Sequence, residues 1–335
     1  MNNIMMASTA QNRRPQRLIL DTNVWRYIVD GNAIPNLLKH TRKYDVDILI
    51  TPSVLYEAIR SVDINLRQNL VSSMTMQKWC RLMPEAFSES QELLEEIRRV
   101  RPDWLKIPKQ PQKFIRLRYD WSRRSGGFWD RARFNTDQEA SYIFMSNGDL
   151  EIAREGARNR RDDLKNSSWK ESHPLKDVWV DLPVRPAGWA NKPVEAWRAL
   201  GWMATGNAIS RGDHPYREWL SDFVDLDKIQ FDSTGWVKLW LSDIGLHRMP
   251  RAWLRWAFEH LQQFRKVTDG APCDVQLATY LLDADCVVSA DKTFIQLVER
   301  VRTEAPFTIA RGICVPGGIP GIKALFEVMS TCGQR

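Results

Sequence analysis

Four acidic residues stand where short apolar runs stop. Asp21 closes Leu18-Ile19-Leu20, Glu57 follows Ile48-Leu49-Ile50-Thr51-Pro52, and Asp274 and Asp291 flank Cys286-Val287-Val288. A buried carboxylate is costly unless it is paired or neutralised, so four that converge ask for a positive partner. A divalent metal fits that demand. Mg2+ and Mn2+ prefer hard oxygen ligands and keep several waters, so a few carboxylates and a substrate phosphate suit them. One or two such ions would acidify a bound water into a nucleophile for attack on phosphorus and steady the departing oxygen. That chemistry needs no histidine, and His40, His173, His214, His247 and His260 show no ligand spacing.

Convergence depends on the elements that carry these side chains. Arg17-Leu18-Ile19-Leu20 and Val46-Asp47-Ile48-Leu49-Ile50 read as buried parallel strands ending in polar turn residues. After the second, Thr51 is an N-cap and Pro52 a first-turn proline for a helix with Val54, Leu55, Ala58, Ile59 and Val62 at helical spacing, which places Glu57 on its second turn. Pro272 opens another helix with Asp274 in its first turn. Cys286-Val287-Val288-Ser289 makes a third strand, Asp291 starts the loop to a helix through Phe294, Leu297, Val298 and Val301, and Phe307-Thr308-Ile309-Ala310 is expected as a fourth strand. In an open parallel sheet, ligands gather beyond the carboxyl ends of the strands, where Asp21 and Asp291 would lie.

Asp21-Thr22-Asn23 after a strand, Glu57 after Thr51-Pro52-Ser53, Asp274 before Leu277-Ala278, and Val287-Val288-Ser289-Ala290-Asp291-Lys292-Thr293-Phe294 resemble the acidic motifs of PIN-domain nucleases. The last run is the most specific. The resemblance covers roughly the first 70 and the last 70 residues. It implies an α/β/α sandwich with a parallel sheet and a metal-dependent endonuclease, most often acting on RNA. Carried over, Asp21, Glu57, Asp274 and Asp291 would be the catalytic and metal-binding quartet on Mg2+ or Mn2+, with Thr22, Asn23 and Ser289 as supporting polar residues. It also leaves room for a homodimer or an inhibitory protein partner.

Each signal has an ordinary counterpart. Asp before Thr-Asn is common turn chemistry, Glu57 could be a solvated helix residue, Asp274 could favour the positive end of its helix, and Asp291 could cap the next one. Asp283 and Asp285 read as loop and strand-entry residues. Two other functions stay open: a non-catalytic nucleic-acid-binding module with a PIN-like fold, and a phosphatase of the haloacid-dehalogenase type, whose pattern wants an acid where Asn23 stands.

The chain is 335 residues long, more than a usual single domain. All tryptophans except Trp25 fall between Trp79 and Trp256, so the middle differs in composition from the ends. The expected organisation is a PIN-like part at 1–75, a mainly helical, Trp-rich insertion at 76–265, and the second PIN-like part at 266–335. Pro250 to Val267 carries Trp253, Leu254, Ala257, Phe258, Leu261 and Phe264 on one face, and Leu93, Leu94, Ile97 and Trp219, Leu220, Phe223 and Leu226 repeat the pattern. Pro102 to Pro111 and Pro174 to Pro193 read as irregular joints.

The basic charge is concentrated. From Arg98 to Arg133 there are twelve Lys or Arg against three Asp, more excess than the +7 of the whole chain. Trp104, Phe114, Tyr119, Trp121, Phe128 and Trp129 interleave with them. Cations can track phosphates while rings stack on bases, so Arg116, Arg118, Arg123, Arg124, Trp121 and Trp129 are the candidate nucleic-acid contacts, with RNA favoured over DNA. The counter-reading is a solvated basic face over buried rings.

Met1 to Arg17 lacks the apolar core of a signal peptide and no run approaches a membrane span, which points to a soluble, cytoplasmic protein. Cys80, Cys273, Cys286, Cys314 and Cys332 have no CxxC spacing, so neither a disulfide framework nor a zinc site is indicated.

Overall fold

The computed structural model describes residues 14–107, 111–145, 169–182, 192–212, 214–265 and 271–332, together with 155, 156, 158, 159, 161, 186 and 189. Five parallel strands form the central sheet: β1 (Gln16–Leu20), β2 (Val46–Ile50), β3 (Cys80–Arg81), β6 (Cys286–Ser289) and β7 (Arg311–Cys314), in the order β3-β2-β1-β6-β7. A separate two-stranded hairpin pairs β4 (Trp179–Val180) with β5 (Val194–Glu195).

Sheet strands buried on both sides need no polar alternation, and β6 is buried at all four positions. Helices flank the sheet to give an α/β/α sandwich. The first half uses α1 (Thr22–Asp30), α2 (Ile34–Tyr44), α3 (Pro52–Ile59) and α4 (Ile64–Met74). The carboxyl-terminal part brings α14 (Ala271–Thr279), α15 (Lys292–Glu304) and α16 (Ile319–Cys332). α16 packs back on α1 and α2, and α14 packs on α3, so the two chain ends build one body.

The strand order places the topological switch between β1 and β6. The chain leaves β1 towards β2 and β3 on one side and returns, after the insertion, to β6 on the other. Leu18, Ile19 and Leu20 align with Cys286, Val287 and Val288, so Asp21 and Ser289 emerge side by side from neighbouring strands. Edge strand β3 begins four residues inside the stretch that the sequence assigns to the insertion.

The fourth strand forms four residues later than its apolar run suggests. Phe307 meets Trp253 edge-on at 5.5 Å, the Ala310 N–H donates to the Leu281 carbonyl at 2.7 Å, and that of Arg311 donates to Asp285 at 3.1 Å. The apolar run therefore anchors the approach, and Arg311–Cys314 enters the sheet. A Cβ at Gly312 would lie 3.1 Å from Ile295 Cγ2, so close packing of α15 explains why this strand is not an aliphatic run.

Between the two halves lies a large, mainly helical insertion. It contains α5 (Glu85–Val100), α6 (Gln112–Ser122), α7 (Phe128–Phe134), α8 (Thr136–Met145), α9 (Ala196–Ser210), α10 (Pro215–Leu220), α11 (Leu226–Phe231), α12 (Ser233–Lys238) and α13 (Pro250–Gln262). Its tryptophans are mostly core: Trp104, Trp129, Trp197 and Trp240 are fully buried, and the buried cluster runs without a break into the sheet. α13 ends at Gln262, short of the expected Val267, which itself lies outside the described residues. Parts of the second proline-rich joint and Lys109 of the basic stretch also lie outside them. Among the described residues no helix is long and apolar enough to cross a membrane.

The start of α3 matters most for the acidic residues. Thr51 is fully buried, its Oγ1 accepts from the Val54 N–H at 3.3 Å and meets Ser53 Oγ at 3.0 Å, and Pro52 supplies the first-turn geometry. Thr51→Val keeps the shape and removes both bonds. It should lower unfolding free energy by about 1–2 kcal/mol, measured by urea denaturation.

Candidate functional site: an acidic pocket at the sheet switch

The pocket is built outward from Asp21. Its backbone N–H continues the sheet pairing by donating to the Val288 carbonyl at 2.9 Å. Its side chain is nine-tenths buried and fully engaged: Oδ1 accepts from the Thr22 N–H at 2.7 Å, while Oδ2 accepts from Asn23 Nδ2 at 2.6 Å and from Ser289 Oγ at 2.5 Å. Asn23 also reaches Ser289 Oγ at 3.1 Å and accepts from the Ala290 N–H at 3.0 Å. The Asp291 N–H donates to Ser289 Oγ at 2.9 Å. Thr22, Asn23 and Ser289 are thus the residues that hold Asp21.

The other three acids arrive from three helices. Glu57, on α3, accepts from Thr22 Oγ1 at 2.6 Å. Asp291 is the exposed N-cap of α15, its Oδ1 accepting from Thr293 at 2.7 Å and from Phe294 at 3.1 Å. Asp274, in the first turn of α14, is 3.5 Å from Gln262 Nε2. Its carboxyl is pushed up to about 8, first by burial and then by the charges of Asp21, Glu57 and Asp291, so it holds a proton at neutral pH. Burial also raises Asp21 and Glu57, with hydrogen bonds opposing.

Two participants were not singled out in the sequence. Arg60, at the end of α3, lowers the Glu57 carboxyl and donates to Cys273 Sγ at 3.3 Å. Its position three residues after Glu57 was an available signal. Gln262 had none, because α13 meets α14 only in the folded chain.

The acids converge, yet they do not form a metal centre. Among the described residues no group of three or more His, Cys, Asp or Glu is placed to hold a metal ion. The hydrogen bonds give the reason. Asp21 points both oxygens at three donors, one Glu57 oxygen meets Thr22 and one Asp291 oxygen meets the helix it caps, so each acid is drawn to a partner of its own. The expected metal-dependent endonuclease, with endoribonuclease activity on Mg2+ or Mn2+, is overturned by this arrangement: the hydrolase and nuclease reading loses the donor set it required.

The basic candidates separate into two groups. Arg116, Arg118 and Arg124 are exposed and make no ion pair among the described residues. Arg123 pairs with Asp120 at 3.0 Å and lies over the Tyr119 ring. Asp120 is also gripped by Arg131 through two 2.7 Å bonds, which the Gly126-Gly127 turn permits: a Cβ at Gly127 would lie 2.3 Å from the Asp120 carbonyl. Trp121 is half-buried and stacked on Phe128 at 3.9 Å. Trp129 is fully buried, with its Nε1 donating to the Trp121 carbonyl, so it has no open face for a base. The most exposed ring on this helix is Tyr119, 62% exposed, with Arg123 over one face.

No protein-family model, curated protein or solved structure matches the chain. The site's own geometry therefore carries the functional argument.

The sign of the Asp274 effect is testable. The folded state keeps this proton to about pH 8 while the unfolded carboxyl releases it near 3.8, so folded molecules bind more protons in that window and stability falls as pH rises through it. Asp274→Asn should be more stable than wild type near pH 9 by roughly 2 kcal/mol or more. The gain should shrink towards about pH 5, as read from thermal melts across the range.

Proposed function

We propose that the chain is a non-catalytic nucleic-acid-binding module on a PIN-like frame, with single-stranded RNA as the favoured ligand and the helical region 76–265 as its binding body. The observation that carries this reading is the exposed arginine face of α6 and the turn after it. Among the described residues Arg116, Arg118 and Arg124 have no acidic partner, while Arg98, Arg99, Arg101, Lys113, Arg123 and Arg131 of the same stretch are ion-paired. Long cationic side chains beside an exposed Tyr119 ring suit a phosphate backbone with bases stacking nearby.

The acidic pocket has a structural part in this reading. Its hydrogen bonds join β1 to β6 and α3, and its negative field keeps phosphates on the arginine face. The haloacid-dehalogenase alternative wants an acid where Asn23 stands, and Asn23 instead donates to Asp21 Oδ2. Preference for RNA comes from the resemblance of the acidic motifs to proteins that act on RNA.

The test is equilibrium binding of labelled single-stranded RNA and DNA across a salt series. Arg116→Glu/Arg118→Glu/Arg124→Glu should weaken binding at least tenfold and flatten the plot of log affinity against log salt by about 2, near 0.7 per lost phosphate contact. Unchanged affinity and slope would overturn the binding face. RNA should be recovered intact with or without Mg2+ or Mn2+; cleavage would overturn the non-catalytic assignment.

A further inference from the structure

A second concavity, separate from the acidic pocket, opens between the insertion and the sheet domain. It encloses about 610 Å³ and is bounded by α5, α6, α9, α10 and α13, with Tyr56 of α3 and Gln276 of α14 closing one end. Tyr56 and Gln276 neighbour Glu57 and Asp274 in sequence, but neither acid lines this cleft. α9 contributes the small residues Gly201, Ala204 and Ala208 to its wall. A cavity of this size, with aromatic and apolar walls and a few converging polar groups, has the make-up of a small-molecule site.

Charge decides the kind of molecule. Glu85, Glu89, Glu218 and Glu259 line the cleft against Arg255 and His214. Glu218 is paired with Lys113 at 3.1 Å. Both Arg255 donors go to Oε1 of Glu89, at 3.0 and 2.6 Å, and Oε2 of this nine-tenths buried residue accepts from none of the described residues. The Glu85 carboxylate accepts from its own backbone N–H and lies 3.4 Å from Tyr280 Oη. Burial raises the Glu85 carboxyl, and the Arg255 charge and the hydrogen bonds offset this only in part. The cleft is therefore acidic inside a chain of net charge +7, and attraction of a cation there cannot come from the overall field.

We propose that this cleft binds an organic cation, an amine-bearing aliphatic chain, with Glu85 and Glu89 meeting its ammonium groups and Tyr56 and Trp121 covering its stem. Aromatic faces favour a cation that has shed part of its water, and the carboxylates supply hydrogen-bond acceptors. The site is independent of the arginine face: Leu117 and Trp121 of α6 face the cleft, while Arg116 and Arg118 are exposed to solvent.

Isothermal titration of the full chain with spermidine, at fixed ionic strength, tests the proposal. Wild type should bind saturably with one site and melt at a higher temperature in its presence. Glu85→Gln/Glu89→Gln should weaken binding at least tenfold. Ala204→Phe, at an exposed position that faces the cleft, should do the same by filling it while leaving every charge in place. Arg116→Glu/Arg118→Glu/Arg124→Glu should bind spermidine at least as well as wild type. Absence of saturable binding by wild type at millimolar spermidine would overturn the site, as would wild-type affinity in folded Ala204→Phe. If the double Gln variant fails to fold, Ala204→Phe alone decides.

Discussion

A carboxylate that leaves water must find donors, and Asp21 finds them in residues from both ends of the chain. The bond from Ser289 spans 268 positions of sequence, and the one from Asn23 fixes the loop that carries Asp21 itself. This closure occurs where β1 and β6 lie adjacent, so one buried acid ties together the two halves of the sheet. Thr22 extends the tie to Glu57 and α3, and Asp291 extends it to the start of α15. The cost of closing so long a loop grows only slowly with its length, which is why a sheet can tolerate a large insertion between β3 and β6.

The same bonds determine what the pocket can do. Four acids near one another are costly as four charges, and the protein meets that cost with hydrogen bonds and a retained proton. Asp274 carries the proton because it is buried and feels all three neighbours. Among the described residues these acids are not placed as a metal-holding group, so neighbouring carboxylates alone do not make a metal centre.

The insertion handles charge differently. Its tryptophans form the interior, and most of its cations meet specific acids, including the fork of Arg131 on Asp120 and the Arg255 pair with Glu89. The two signs are segregated about α6: Arg116 and Arg118 are exposed to solvent, and Glu85 and Glu89 line the cleft behind it. A solvated Arg keeps its hydration and a long stem, whereas a carboxylate in a cleft loses water and awaits a partner. Segregation of this kind gives one helix two surfaces of opposite preference.

Three of the five sheet strands were legible in the residues. Leu18-Ile19-Leu20, Val46 to Ile50 and Cys286 to Ser289 are β-rich runs ending in polar residues, and Thr51-Pro52 and Asp291 carry their capping chemistry openly. The strand Arg311–Cys314 was not legible, because Gly312 is selected for contact with α15 and the apolar Phe307 serves a loop. By itself the sequence determined that Asp21 and Asp291 would stand at strand ends and Glu57 and Asp274 in early helix turns, since these positions follow from local patterns. Only the tertiary structure decided how their oxygens point, which of the clustered cations have no ion pair among the described residues, and that Trp129 is interior while Tyr119 is exposed. Those outcomes depend on partners distant in the chain, Ser289 for Asp21, Glu218 for Lys113, Asp243 for Arg101, and a hydrogen bond between remote residues leaves no periodic trace in either segment.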